Sequence, residues 1–377
     1  MSHTLLQELT NSDIDWLMAV GQKQQVKAGQ TLIETGQPLK ALYLIIDGSL
    51  TLSVPQTSDN ALNRAFALLE EKSVLEREIA SLHSGDIAGD ELLLQVRAAS
   101  TNVKVKQLSR VLAIPQKQLS AKLNQDVGFA ARFYRAIALL ISERLLKLMQ
   151  QLRSARLGSS SSQGREVLFA FGEINDSDID WMIANGNSHT VAAGTLLLQE
   201  GRPVEALYIL LNGAMSVTIA EKEASPLDRA FAALESSETP IPEREIATLR
   251  PGEFIGEMPF GDSRLASTSV ITAEESLVLT IPGQVLRVKL QQDIGFSARF
   301  ERVVAMLAAE RFRETINRLG YGRRFYSSGQ SLDQSLSYED ELNLDSLDKL
   351  SLAGSRFTWM LNRLQELGNG EWKRASR

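Results

Sequence analysis

Apolar positions alternate with polar ones in short runs, and glycine-rich turns separate the runs. Gln24-Gln25-Val26-Lys27-Ala28-Gly29 leads into Thr31-Leu32-Ile33, and a turn at Gly36-Gln37-Pro38 follows. Ala41 to Ile46 is a dense apolar run, Asp47-Gly48 is a hairpin signal, and Leu50 to Val54 alternates beyond it. The period then lengthens. Phe129, Phe133, Ala136, Leu140, Leu145, Leu148 and Leu152 fall on one stripe of a long helix. Many short strands between glycine turns predict a β-sandwich or barrel with a helix at its end.

The pattern occurs twice. Ser12-Asp13-Ile14-Asp15-Trp16 returns as Ser177-Asp178-Ile179-Asp180-Trp181, an offset of 165; Arg77-Glu78-Ile79-Ala80 returns as Arg244-Glu245-Ile246-Ala247, an offset of 167. The second copy runs through Gly194, Gly201, Ala206 to Leu211, Asn212-Gly213 and Met215 to Ile219, and closes on Phe296, Phe300, Val303, Val304, Leu307 and Ile316. A period of this length is a whole domain, not a solenoid unit. The expected organisation is a domain over 1–153, a Gly/Ser-rich flexible linker over 154–169, a second domain over 170–320 and an extension over 321–377.

A polar, helix-patterned insertion interrupts each repeat at 55–75 and 221–242. The extension has no counterpart in the first repeat. Leu347, Leu350, Phe357, Met360, Leu361, Leu364 and Leu367 predict an amphipathic helix over 345–367, with Gly354 as a candidate break.

Composition narrows the chemistry. The chain has 377 residues and no cysteine, so disulfides, thiolate catalysis and cysteine metal sites drop out. No apolar run reaches the roughly 18 residues needed to cross a bilayer, and the start lacks a signal-peptide pattern, so the reading is cytoplasmic. A net charge of −6 argues against unspecific nucleic-acid binding. His3, His83 and His189 are far apart and read as surface or turn residues, not metal ligands. Trp16 and Trp181 read as packing residues. Asp13, Asp15, Asp178 and Asp180 could be paired carboxylates, but fit better as helix-start acids. No phosphate-binding loop or nucleophilic constellation occurs, so the chain reads as no enzyme, with no metal.

One segment remains. The second repeat carries Pro251-Gly252-Glu253-Phe254-Ile255-Gly256-Glu257-Met258-Pro259-Phe260, and the first carries Ser84-Gly85-Asp86-Ile87-Ala88-Gly89-Asp90-Glu91-Leu92. With the glycines and apolar runs before it, this resembles the cyclic nucleotide-binding domain, the sensor domain type of catabolite activator protein and protein kinase A regulatory subunits. The resemblance covers about 5–153 and 170–320. It implies a mainly β fold with flanking helices: two tandem β-rolls (double-stranded jelly rolls), each ending in a long helix, plus the helical tail.

The resemblance also implies a ligand, cAMP or cGMP. In the family a glutamate accepts the ribose 2′-hydroxyl, and an arginine nine residues later pairs with the phosphate, because a guanidinium fork fits two phosphate oxygens. The candidate residues of the second cassette are therefore Phe254, Ile255, Gly256, Glu257, Met258, Arg264, Ala266, Ser267 and Thr268. Those of the first are Ala88, Gly89, Asp90, Glu91, Arg97, Ala99 and Ser100. This chain departs from the pattern. Ala266 and Ala99 stand where the phosphate arginine belongs, Arg264 and Arg97 sit two positions too early, and Asp90 replaces the glutamate. A charge-assisted hydrogen bond contributes roughly 1.5–3 kcal/mol, so weakened or lost nucleotide binding is expected, with the cassettes serving as structure.

The expectation for function is a non-enzymatic regulatory or structural adaptor. A protein partner would dock through the insertions 55–75 and 221–242 or the tail helix 345–367. The long helices near Phe129–Leu152 and Phe296–Leu319 allow an intramolecular pseudo-dimer or a homo-oligomer. One alternative is a cytoplasmic cAMP/cGMP sensor acting through protein partners. A second is an accessory component of a large bacterial assembly such as a contractile injection system, whose accessory proteins similar degenerate modules resemble. A transcription regulator is disfavoured, and no DNA binding is expected. The tail holds eight basic against eight acidic residues and has no basic recognition face.

Overall fold

The computed structural model describes residues 3–55, 76–90, 99, 101–154, 160–161, 170–220, 243–257, 265–318 and 344–367. The chain divides into two compact units: Met1–Leu152 with Ala308–Tyr338, and Arg153–Leu307 with Glu339–Arg377. The insertions expected to dock a partner lie, beyond Pro55, outside the described residues.

In the first unit, α1 (His3–Glu8) and α2 (Asn11–Val20) precede eight strands: β1 (Gln22–Val26), β2 (Thr31–Ile33), β3 (Ala41–Asp47), β4 (Ser49–Pro55), β5 (Glu76–His83), β6 (Ile87–Ala88), β7 (Asn102–Val105) and β8 (Ser109–Pro115). Then come α3 (Gln116–Gln125) and the long α4 (Val127–Ser154). The strands form two four-stranded sheets, ordered β1-β8-β3-β6 and β2-β7-β4-β5. Leu42, Ile45, Leu50, Leu82 and Leu112 are fully buried. Leu42 and Ile45, three apart on β3, point to opposite faces, so that sheet is covered on both sides. The aromatic start of α4, Phe129 and Phe133, is buried too.

The second unit repeats this. The two-residue β9 (Ser160–Ser161) and α5 (Asp176–Asn185) are followed by β10 (Asn187–Val191), β11 (Leu196–Leu198), β12 (Ala206–Asn212), β13 (Met215–Ala220), β14 (Glu243–Leu249), β15 (Phe254–Ile255), β16 (Ser269–Thr272) and β17 (Ser276–Pro282). They lead to α6 (Gly283–Gln292), α7 (Ile294–Arg318) and, beyond residues 319–343, α8 (Leu344–Leu367). The sheets are β10-β17-β12-β15 and β11-β16-β13-β14-β9. Even irregularities recur. The β4–β5 register slips between Leu52 and Ser53, and the β13–β14 register between Val217 and Thr218. Val191, Leu210, Met215, Leu249, Ile255, Val270 and Val278 form one apolar cluster.

Three expectations need correction. Asp47-Gly48 and Asn212-Gly213 are not hairpins. β3 and β4 belong to different sheets, as do β12 and β13, so each glycine turns a corner between sheets. Gly48 has φ 100°, and a Cβ there would collide with Ser109 of β8, which only glycine avoids. The run read as a flexible linker contains β9, whose Ser160 and Ser161 pair parallel with Ala247 and Thr248. Finally, α8 does not break at Gly354, which meets nothing within 4 Å and stays on the exposed side while Ala353 and Met360 are buried.

Candidate functional site

The first cassette begins where β6 pairs with β3, Ile87 opposite Leu44 and Ala88 opposite Tyr43. The Gly85 N–H donates to the Ile45 carbonyl at 2.8 Å, and the Ile45 N–H donates to Asp86 O at 3.0 Å, which fixes the turn before β6. Gly89 then takes φ 85°, and a Cβ on it would lie 3.0 Å from the Ala41 carbonyl. The chain can turn here only with glycine, and the turn delivers Asp90 inward.

Asp90 meets an arginine, but not one from the cassette. Arg144 of α4 places Nη1 3.0 Å from Asp90 Oδ1, with side-chain exposures of 8% and 13%. Its Nη2 donates to the Ile87 carbonyl. One guanidinium thus satisfies both Asp90, the acid that the family resemblance aligns with the ribose-binding glutamate, and the strand just before it. The cavity beside this pair is lined by Ile33, Leu52, Gly89, Asp90, Thr101 and Arg144, with Ala309 and Phe312 from the part of α7 that belongs to the first unit. Its volume is about 20 Å³, room for roughly one water.

Ala99 is buried, 1% exposed, and locked by backbone bonds: its N–H donates to Gln37 O at 3.0 Å, and its carbonyl accepts from Gly36 N–H at 2.8 Å. Ala88 is equally buried. Glu91, Arg97 and Ser100 lie outside the described residues.

In the second cassette, β15 pairs with β12, Phe254 opposite Ile209 and Ile255 opposite Tyr208. Gly256 has φ 77°, and a Cβ there would sit 2.7 Å from the Ala206 carbonyl. Phe254, Ile255 and Glu257 are all buried. Ala266 repeats the geometry of Ala99, donating to Arg202 O at 2.8 Å and accepting from Gly201 N–H at 2.8 Å. Ser267 and Thr268 are half-buried. Met258 and Arg264 lie outside the described residues.

Sequence reasoning missed Arg144. A signal was present: Glu143-Arg144 recurs as Glu310-Arg311 at the offset of 167, on a face otherwise made of Ile137, Ile141, Leu145 and Leu148. A lone arginine in an apolar stripe needs a buried acceptor.

The recurring aspartates have a different task. Thr10 caps α2: its Oγ1 accepts from Asp13 N–H, and the Thr10 N–H donates back to Asp13 Oδ2 at 2.9 Å. Asp13 also takes the Arg132 fork at 2.7 and 2.9 Å. Burial alone would raise the Asp13 carboxyl, but the Arg132 and Thr10 donors outweigh it and hold the pKa at about 2. Asn175, Asp178 and Arg299 repeat the cap and the fork, with fork distances of 2.6 and 2.8 Å. Asp15 and Asp180 are not part of either pair. Trp16 packs edge-on to Phe129 at 5.3 Å and Trp181 against Phe296 at 5.2 Å, with Lys122 and Lys289 over the rings. These clusters hold the N-terminal helix of each domain to its long helix.

The tail helix expected to dock a partner packs on its own domain. Ala353, Met360 and Leu364 are buried, and α8 lies against α5. Arg356 Nε is 3.0 Å from Asp176 Oδ1. Of the stripe residues whose side chains are described, Met360 and Leu364 are buried within the second unit, Phe357 and Leu361 are half-buried, and Leu367 is 63% exposed. No cluster of His, Asp or Glu able to hold a metal occurs among the described residues, and no described helix is long and apolar enough to cross a membrane.

The cyclic nucleotide-binding domain model matches residues 23–126 and again 188–293. A comparison with curated proteins finds no significant match. Among solved structures, the regulatory domain of Toxoplasma gondii PKA with cAMP is 14% identical, covering 78% of this chain and 89% of that one at a TM-score of 0.27. The Thermus thermophilus catabolite activator protein is 16% identical over 50% of this chain and 75% of that one, TM-score 0.32. The N-terminal domain of a Streptomyces coelicolor A3(2) transcriptional regulator is 23% identical over 40% and 95%, TM-score 0.29. The two family matches together span more than half of the sequence, one in each repeat, and the chain belongs to the cyclic nucleotide-binding domain family.

Proposed function

We propose that the chain is a non-enzymatic, cytoplasmic regulatory or structural adaptor built on two tandem domains, 1–153 and 170–320, whose first cassette is filled by the protein itself. One observation carries this reading. The Arg144 guanidinium occupies Asp90 and the Ile87 carbonyl from inside, where a bound nucleotide would have to make its contacts. The cavity beside that pair has room for roughly one water. The buried alanines Ala99 and Ala266 support the reading, since neither can offer a phosphate two hydrogen bonds.

A second reading, a cAMP or cGMP sensor, is favoured by one feature of the second cassette. It keeps the glutamate, Glu257, buried directly behind the Gly256 turn, and has the half-buried hydroxyls Ser267 and Thr268 nearby in sequence. Calorimetric titration of the intact chain with cAMP and cGMP separates the two. The adaptor predicts no binding up to millimolar ligand, and binding gained by Ala266→Arg. Micromolar binding by the native chain overturns the adaptor and establishes the sensor.

A further inference from the structure

Among the described residues the two repeats differ at a pair of aromatic contacts, and the difference coincides with the tail. In the second unit Phe357 of α8 packs on Phe171 with ring centroids 5.1 Å apart, and Phe171 packs edge-on to Phe254 at 5.8 Å. Phe254 is the first residue of β15, two positions before Gly256. At the offsets of the duplication the first repeat has Leu6 and Ile87 in place of Phe171 and Phe254, and it has no tail. The aromatic pair is found where a third ring must be received.

We propose that α8 is a latch on the second cassette. Docked, it holds Phe171 against Phe254 and so steadies the strand beneath the Gly256 turn. Undocked, for instance by a protein partner that captures its apolar stripe, it releases that strand. The polar anchor is Arg356, whose Nη1 donates to the Phe171 carbonyl at 3.1 Å while Nε reaches Asp176. This anchor ties the helix to the same residue that carries the ring. Asp176 is 74% exposed, so solvent can compete for that half of the anchor. At 24 residues α8 is also beyond the length at which an isolated helix is marginal, roughly 12–15 residues. The inference does not depend on whether the cassette takes a ligand.

Amide hydrogen exchange on the full-length chain tests it. In Phe357→Ala, amides of Phe254 to Glu257 should exchange roughly three- to tenfold faster, as expected for loss of one aromatic contact. Amides of Ile87 to Asp90 in the first domain should not change. In Phe171→Leu/Phe254→Ile, which installs the first repeat's residues and keeps the core apolar, α8 itself should exchange faster. If α8 loosens but the Phe254–Glu257 amides do not, the latch is wrong. If neither variant loosens α8, the Phe357–Phe171 contact does not hold the helix and the proposal falls as well.

Discussion

At the scale of the residue, the informative groups are charged side chains placed where charge is expensive. Arg144 and Asp90 are both almost fully buried, and each is the other's compensation. Removing one partner leaves an uncompensated buried charge, so Arg144→Ala should destabilise the first domain by about 3–5 kcal/mol. Replacing both, as Asp90→Leu with Arg144→Met, should bring stability back to within about 1 kcal/mol of the native chain, because the pair offsets mainly its own desolvation. Urea unfolding followed by circular dichroism reads both. A small effect of Arg144→Ala alone would mean that the guanidinium is not the filling of the cassette. Glycine gives a second test. Gly194 and Gly256 both have positive φ, 78° and 77°, but only Gly256 has a carbonyl 2.7 Å from where a Cβ would go. Gly194→Ala should cost about 1–2 kcal/mol, the price of a left-handed alanine. Gly256→Ala should cost at least 1 kcal/mol more, measured as the shift in urea midpoint.

At the scale of the element, most of the fold was legible in the sequence. The strands that the pattern delimits, β2, β3, β4, β12 and β13, fall within a residue of those limits, because alternation and glycine turns are local signals. What local signals do not carry is where a strand goes next. Asp47-Gly48 reads as a hairpin because aspartate-glycine supplies the conformation of a tight turn, yet β3 and β4 pair with β8 and β5 instead of each other. α3 was overlooked because Leu119 and Leu123 are its only buried residues. Gly354 was read as a break because glycine lowers helix propensity by about 1 kcal/mol. Burial of Ala353, Met360 and Leu364 outweighs that. The site was half legible. The glycine turns and Asp90 or Glu257 stood in the cassette motif, but Arg144 lies 54 residues from Asp90 and belongs to a helix, where an arginine normally reads as solvent-facing.

At the scale of the whole molecule, one device is installed twice and should behave as two independent copies. In each unit a buried capping aspartate receives a guanidinium fork from the long helix, Asp13 from Arg132 and Asp178 from Arg299. The Asp13 carboxyl titrates at about 2 when folded, against roughly 4 for an unperturbed aspartate. A depressed folded pKa means that the unfolded chain binds the proton first. The stabilisation is therefore complete above about pH 4 and is lost as the pH falls towards 2, amounting to roughly 2 kcal/mol for this residue. Asp13→Asn removes the charge and should lower stability at pH 7 by about that amount, while flattening the first domain's acid dependence. Asp178 makes the same two connections in the second unit, and charged hydrogen bonds of this type contribute roughly 1.5–3 kcal/mol, the loss expected for Asp178→Asn. The two sites share no partner, so the double variant should lose the sum of the single losses to within about 0.5 kcal/mol. Urea unfolding of the four proteins at pH 7 and pH 3 checks this. A double variant no worse than either single one would mean that the two units do not hold their long helices separately, and that the duplication works as one cooperative body.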